Sequence, residues 1–517
     1  MNRAFFVAAG ILVSRLAGLV RLRVFAHYFG LRTDAADAFN AAFRIPNLLQ
    51  NLFGEGALSA SFIPVYAVLV ARGDQRTADR VAGAVGSLLA LVVAVLVLAG
   101  MTAAPLLTAV IAPGFTGAKR DLTVAIVRVL FPGAGLLVLS AWCLGILNTH
   151  GRFFLSYAAP VVWNAAMITT LVVFGAQDLP RLAVLLAWGS VAGSALQFVV
   201  QLPVVLRVAP EIRIGLGFVG EHVRAVGTNF IPAAVSRGVV QVSAFVDALL
   251  ASLLPTGAMT GLVNAQLIYT LPVSLFGMSI AAAELPAMSS EAALDESSRE
   301  ALRSRLDAGL QRIAFLVIPS AVGFLALGDV IAAAILQTGR FSSADALYVW
   351  AILAGSAIGL PASTMGRLYA ASFYALRDTK TPLRYAVVRV TVATALAVPL
   401  AFWVPPMLGL TRLWGAAGIT VASGCAAWVE MSMLRKRLNA SIGRTGVKPV
   451  YAIRLCLAAV VAAALSWGVR AADISSSPVV AAVVVLGVFG LSYLGTAALL
   501  GVNIQAFRSR ASARWDV

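Results

Sequence analysis

The sequence predicts an all-α polytopic membrane protein with about 14 transmembrane helices, arranged as two six-helix lobes related by a parallel pseudo-repeat plus two C-terminal helices. Three observations carry this reading. Of 517 residues, 60% are hydrophobic and 12% charged, with a mean hydropathy of +0.91; soluble domains carry about 25% charged residues. Apolar stretches of about 20 residues or more recur along the chain, enough helix to cross ~30 Å of hydrocarbon. The basic residues fall on alternate loops, roughly 23 on one side against about 7 on the other, as the positive-inside rule requires.

The spans are expected at about 5–29, 36–69, 80–111, 122–147, 153–174, 182–206, 223–254, 257–288, 306–337, 345–375, 382–405, 413–434, 449–469 and 479–501. Several exceed the bilayer thickness and are expected to tilt, bend or project. The Met1-Asn2-Arg3 start leads into an apolar run without a small-residue cleavage site, so the first span is expected to be retained. An even number of spans then puts both termini in the cytoplasm, the chain being multi-pass. The charge sorting accounts for the net charge of +17 without any nucleic-acid partner. Residues 289–305, rich in Glu, Asp and Arg, read as a short helix on the membrane surface.

A weak internal repeat relates the first six spans to the next six. Val13-Ser14-Arg15 lies opposite Val235-Ser236-Arg237, Ile45-Pro46 opposite Leu271-Pro272, and Leu147-Asn148 opposite Leu376-Arg377, at a near-constant offset of about 222 to 229 residues. The expected division is therefore 1–206 for an N-lobe, 207–437 for a C-lobe and 438–517 for two added helices with a basic tail. Pro46, Gly54, Gly56 and Pro64 interrupt the second span, and Pro272, Gly277 and Pro286 the eighth. Matching breaks in the two halves point to the binding and hinge region.

Charge inside the membrane is the feature that bears on function. Arg15, Arg21 and Arg23 lie in the first span, Arg44 in the second, and Arg128, Arg237, Arg367, Arg389 and Arg454 in later ones. A guanidinium at the bilayer centre costs at least ~2.5–3.5 kcal/mol, so such groups face a bundle interior or an aqueous cavity. Arg15 and Arg21 are candidates for gripping a phosphate or diphosphate, to which the planar fork is suited; the competing expectation is that they pair with Asp34, Asp37 or Glu55. Arg21 lies about 240° around the helix from Arg15, so one straight helix cannot aim both at one spot unless Gly18 permits a bend. Arg23 is near the span end and is expected to snorkel. Glu55 is either an arginine partner or a proton site. Asp247, Glu284 and Asp378, with Thr394, offer oxygens for a monovalent cation site, the alternative being ion pairs to Arg237 or Arg384.

Several chemistries are excluded by the sequence. The chain has no G-x-x-x-x-G-K-[ST] loop for nucleotide hydrolysis, no H-E-x-x-H and no nucleophile elbow. Cys143, Cys425 and Cys456 give neither a disulfide framework nor a metal spacing. No loop has room for a soluble catalytic domain. The reading is a transporter, not an enzyme, with no bound cofactor and with coupling to Na+, H+ or the membrane potential as its energy source. A drug exporter fits less well, because an arginine-lined cavity repels cationic drugs.

The runs Ser14-Arg15-x-x-Gly18-x-x-Arg21, Ala36-Asp37-Ala38-Phe39, Phe43-Arg44-Ile45-Pro46-Asn47-Leu48-Leu49, Glu55-Gly56-Ala57-Leu58-Ser59 and Phe62-Ile63-Pro64, and later Phe373-Tyr374-Ala375-Leu376-Arg377-Asp378-Thr379-Lys380-Thr381-Pro382, resemble the MurJ/MviN family. The resemblance implies the fold of the multidrug/oligosaccharidyl-lipid/polysaccharide exporter superfamily and translocation of lipid II, the undecaprenyl-diphosphate-linked peptidoglycan precursor, to the outer leaflet. It implies that Arg15 and Arg21 serve the diphosphate, with Ser14, Asp37, Arg44 and Glu55 at other motif positions. Arg237 is a further candidate for the substrate, and Asp247, Asp378 and Thr394 map to a sodium site. Three departures stand out: Leu22, Gln50 and Gln266 occupy positions where the family commonly has charge. They keep a flippase for another polyprenyl-diphosphate-linked glycan, such as an O-antigen or exopolysaccharide unit, as the alternative. Membrane lipids and cell-wall synthesis enzymes are the expected partners.

Overall fold

The computed structural model describes residues 3–213, 215, 220–281, 284, 288, 296–472 and 477–502; the side chains of 3–9, 11, 55, 232–233, 235–240 and 296–298 are not described. The described chain is helical apart from turns and an isolated bridge between Thr338 and Phe341. Twelve helices among the described residues are long and apolar enough to cross a membrane. The helices at the first and seventh expected spans, Arg3–Phe29 and Glu221–Ser252, are also full-length.

The chain forms two compact units, Met1–Thr260 with Thr338–Phe341, and Gly261–Gln337 with Ser342–Val517. The first contains α1 (Arg3–Phe29), α2 (Asp34–Phe53), α3 (Glu55–Ala71), α4 (Gln75–Thr102), α5 (Ala104–Ile111), α6 (Gly117–Thr149), α7 (Phe153–Phe174), α8 (Leu179–Val208) and α9 (Glu221–Ser252). α9, placed by the sequence in the second lobe, therefore packs with the first unit, against α3 and α2. α1 packs on α7, and α6 on α8, α2 and α4. One core gathers Phe25, Phe29, Phe39, Leu130, Phe131 and Met167; another gathers Phe62, Tyr66, Val81, Trp142 and Ile146.

The second expected span is two helices. α2 stops at Gly54 and α3 starts at Glu55. A Cβ at position 54 would run into the Gln50 carbonyl oxygen, so glycine is what lets the chain turn there.

The second unit contains α10 (Ala258–Pro272, from Gly261 onward), a π-helical turn at Val273–Met278, α11 (Glu296–Leu336), α12 (Ser343–Ala375), α13 (Lys380–Phe402), α14 (Gly415–Ile442), α15 (Pro449–Ala471) and α16 (Pro478–Leu499). The π turn falls on the Pro272–Gly277 break that the sequence marks in the eighth span, and such insertions are frequent at functional sites. α12 lies against α14 and α11; Gly359 and Gly424 face each other so closely that a Cβ at Gly359 would strike the Gly424 backbone. Residues 296–305 continue directly into α11, so the part of the expected surface helix that is described belongs to a 41-residue helix.

α15 and α16 present small residues to α11. Ala458, Ala459, Ala462 and Ala497 are buried with Phe315, Ile318 and Tyr493, and the Tyr493 hydroxyl donates to the Phe315 carbonyl. At the C-terminal end of α15 Arg470 pairs with Asp329 at 2.6 Å and Trp467 donates to the Ala326 carbonyl.

Candidate functional site

α1 runs as one α-helix, so the angular offset between Arg15 and Arg21 stands. Arg15 is exposed, whereas Arg21 turns toward α7. The Arg21 Nε donates to Asn164 Oδ1 at 2.9 Å, Nη1 lies 3.9 Å from Met167 Sδ, and the guanidinium carbon sits 5.0 Å from the centroid of the Trp163 ring. Asn164 is oriented for this: its Nδ2 donates to the Pro160 carbonyl at 2.9 Å, which turns Oδ1 to the arginine. Trp163 is steadied by its own bond to Ser190 Oγ. Every one of these partners is neutral. Arg21 is held in place and keeps its full positive charge.

Arg44 on α2 donates to the Ala244 carbonyl of α9 at 2.7 Å, with Asp247 one turn further along in electrostatic range. Asp247 is half-buried. Ser14 is partly exposed on α1, seven residues from Arg21 and so on nearly the same face. Arg237 lies within α9 and Glu55 opens α3, but both side chains fall outside the described residues.

Asp37 is not a free group for a substrate. It is 1% exposed. Its Oδ1 accepts from Thr260 N at 3.0 Å and Thr260 Oγ1 at 2.7 Å, and its Oδ2 from Lys119 Nζ and Gly257 N, each at 2.9 Å. Four donors use the lone-pair capacity of a carboxylate. Lys119 also pairs with Asp34 at 3.2 Å, and Asp34 accepts from Thr256. Two of the three acids expected to neutralise Arg21, Asp34 and Asp37, are thus committed to Lys119; the third, Glu55, has its side chain outside the described residues, and the arginine bonds a neutral amide.

Two of the residues expected at a cation site, Asp378 and Thr394, lie apart in the second unit. Asp378 lies in the turn before α13, accepting from Lys380 N and Thr381 N at 3.0 Å and from Thr381 Oγ1 at 2.6 Å. The hydroxyl and amide of Thr381 hold its carboxyl below the usual carboxylate range. Thr394 lies 14 residues into α13, about 20 Å along the axis, and donates to the Val390 carbonyl. One ion cannot touch both. Among the described residues no group of three or more His, Cys, Asp or Glu could hold a metal. Glu284, buried, pairs with Arg312 at 3.1 Å and Arg305 at 3.5 Å, and Glu430 with Arg389 at 3.1 Å.

The charge-led search of the sequence missed the neutral half of the site. A cavity of about 420 Å³ in the first unit is bounded by α2, α3, α6, α7, α8 and α9. Its polar lining is Gln50, Asn51, Ser59, Ser140, Ser156, Gln197 and Gln241, with no ionisable side chain among the described residues. Gln50, one of the departures from charge, belongs to this wall. Leu22 is buried among apolar groups, and Gln266 is exposed on α10. The available signal was an amide within a span: Asn164 is the lone one in α7, Gln197 shares α8 with Gln201, and Gln241 shares α9 with Asn229. An unpaired buried amide costs roughly 1–3 kcal/mol.

A chain with this many helices long and apolar enough to cross a membrane has known counterparts. Residues 25–492 match the family described as lipid II flippase MurJ. The chain belongs to that family. It is 32% identical to the lipid II flippase MurJ of Burkholderia cenocepacia, over 98% of this chain and 99% of that one. It is 29% identical to the probable lipid II flippase MurJ of Vibrio cholerae serotype O1, over 98% of each. Among solved structures, a lipid II flippase MurJ in an inward closed conformation superposes with a TM-score of 0.77 at 21% identity, covering 96% of this chain and 98% of that one. An inward-facing multidrug resistance transporter of the MATE family and MOP superfamily superposes with a TM-score of 0.66 at 18% identity, over 85% of this chain and 99% of that one. Membership makes the chain a multi-pass membrane transporter of the flippase class, and the two superpositions give the fold it shares with MATE proteins.

Proposed function

We propose that this chain carries lipid II from the cytoplasmic to the outer leaflet of the bacterial cytoplasmic membrane, with both termini in the cytoplasm and Arg21 meeting the diphosphate. The observation that carries this is Arg21 itself, a cation within a membrane span whose partners are an amide oxygen, a thioether and an indole face. Neutral holders fix its position and leave its charge for an anion. Arg15, exposed on the same helix, supports entry of the head group, and Arg44 extends the cationic strip to α2. The sequence division at 1–206, 207–437 and 438–517 supplies the moving lobes and the added helices in this reading. Ion coupling or the membrane potential drives the cycle, because no nucleotide-binding loop is present. Cell-wall polymerases that consume the product at the outer leaflet are the natural partners.

The test is lipid II exposure in bacteria depleted of their own flippase and supplied with this protein. An added toxin that cleaves lipid II reports the outer-leaflet pool. Cleavage returns with the wild type and falls ~100-fold with well-expressed Arg21→Ala, the scale of one lost charge-assisted contact of about 3 kcal/mol. Arg15→Ala falls less. No cleavage with well-inserted wild type directs the substrate to another polyprenyl-diphosphate-linked glycan, which the uncharged Gln50 and Gln266 favour.

A further inference from the structure

We propose that the neutral cavity of the first unit is a subsite for an uncharged, amide-bearing part of the cargo head group, an acetamido sugar or the peptide attached to it. The inference deepens the lipid II reading and rests on it. A cavity of about 420 Å³ falls in the ~300–1,000 Å³ range of small-molecule sites. What distinguishes it is the state of its polar groups.

Gln50, Asn51 and Gln241 line the cavity from α2 and α9, and among the described residues none of their side chains hydrogen-bonds to protein. Gln197 on α8 is 8% exposed; its Nε2 donates to Ser140 Oγ at 2.9 Å, and the Ser140 hydroxyl donates onward to Gln201 Oε1 at 2.7 Å. That relay orients the Gln197 amide and leaves its carbonyl oxygen without a protein donor. Beyond it, Gln201 is fully buried and its Nε2 has no partner. Amides within membrane spans normally find protein partners, because leaving one unpaired is costly. Here several face one cavity with donors and acceptors unmet.

The chemistry of the lining selects its ligand. Each carboxamide offers an N–H donor and a carbonyl acceptor side by side, the complement of another amide or of a sugar hydroxyl. Among the described lining residues none is ionised, so a phosphate, carboxylate or ammonium meets no countercharge from them. The diphosphate has its place nearby: Pro160 lines the cavity, and its carbonyl holds Asn164, the residue that holds Arg21. Four residues of α7, about 6 Å, separate the neutral wall from the cationic one. By the orientation that the basic loops give, the cavity lies on the cytoplasmic side of that arginine. A head group entering from the cytoplasm thus meets phosphate-holding and sugar-holding chemistry in one continuous stretch of α7.

The experiment is binding of three lipids to the full-length protein in nanodiscs: undecaprenyl diphosphate, the same lipid bearing one N-acetylglucosamine, and lipid II. Wild type should bind the sugar-bearing lipid about tenfold more tightly than the bare diphosphate, the scale of one net hydrogen bond. In Gln50→Leu/Gln241→Leu that gain should fall below about twofold, while the bare diphosphate binds as before and thermal stability is kept. Those two side chains make no hydrogen bond to the described protein, and leucine keeps much of their bulk, so the exchange should spare the fold. A gain that appears only with lipid II, and is lost in the double variant, assigns the amide contacts to the peptide. Equal binding of all three lipids by wild type, or a gain that the double variant keeps, overturns the subsite and leaves the lipid II reading standing. Failure of wild type to bind any of the three overturns the lipid II reading itself.

Discussion

Arg21 and Asp37 sit in the same unit, and each is a charge placed inside helices that span a membrane. Asp37 is met by an ammonium and three further donors, so nothing about it is left over. Arg21 is met by an amide oxygen, a sulfur and an aromatic face, so its geometry is fixed while its charge remains. The difference teaches how to sort intramembrane charges. A charge that serves the fold is given its opposite; one that serves a cargo is given only neutral support. By this criterion Glu284, Glu430 and Asp329, each with its arginine, belong with Asp37.

The largest expected effect lies on the paired side. Asp37→Ala strips Lys119, Gly257 and Thr260 of their shared acceptor and should destabilise the protein by about 3–5 kcal/mol, the cost of breaking a buried pair. Thermal unfolding in detergent measures it, and transport per folded molecule should change far less. An Asp37→Ala protein of normal stability that cannot transport would move Asp37 to the cargo side of the comparison.

Gly54→Ala comes next. The new methyl would meet the Gln50 carbonyl, and the strain of overpacking is ~1–3 kcal/mol. Because Gln50 lines the neutral cavity, transport should fall together with stability. A fully stable, fully active variant would show that the break between α2 and α3 does not position that wall.

The smallest effect is at Asp378. Its folded carboxyl titrates below the usual range because Thr381 bonds its ionised form. A depressed folded value stabilises the protein above the unfolded carboxylate pKa of about 3.9, and the contribution is lost as pH falls through the lower folded value. Asp378→Asn keeps the capping geometry and removes only a partly exposed charge, so it should cost a few tenths of a kcal/mol (~0.3) at neutral pH and nothing at strongly acid pH. Ion dependence of transport should be the same in this variant, since Asp378 and Thr394 are too far apart to share an ion. A changed sodium dependence would restore the expected cation site.

The span pattern was legible because hydropathy, loop charge and Pro/Gly breaks are local. Even the interruptions at Gly54 and at Pro272–Gly277 are marked by the residues that cause them. The roles of the charges were not. Asp37 reads like its neighbours until Lys119, Gly257 and Thr260 arrive from 82, 220 and 223 residues away. Asn164 meets Arg21 across 143 residues. The amide cavity draws on six helices, and a glutamine in an apolar span carries no sign of which others it will face. Charge draws the eye in such a sequence, whereas the neutral residues decide what each charge is for.

Asn164→Asp puts the comparison to its most direct test. The substitution keeps the shape and the bond to Arg21 Nε while supplying the countercharge that Arg21 lacks, making it resemble the paired sites. Flipping of lipid II by the purified protein in liposomes would be measured beside thermal stability. The Nδ2 bond to the Pro160 carbonyl is lost as the ion pair with Arg21 is gained, so the account predicts stability within about 1–2 kcal/mol of the wild type, and transport reduced at least ~10-fold, the equivalent of about 1.4 kcal/mol of lost grip on the diphosphate. Undiminished transport by the well-folded variant would contradict it, because an arginine already neutralised could not be the group that holds the cargo.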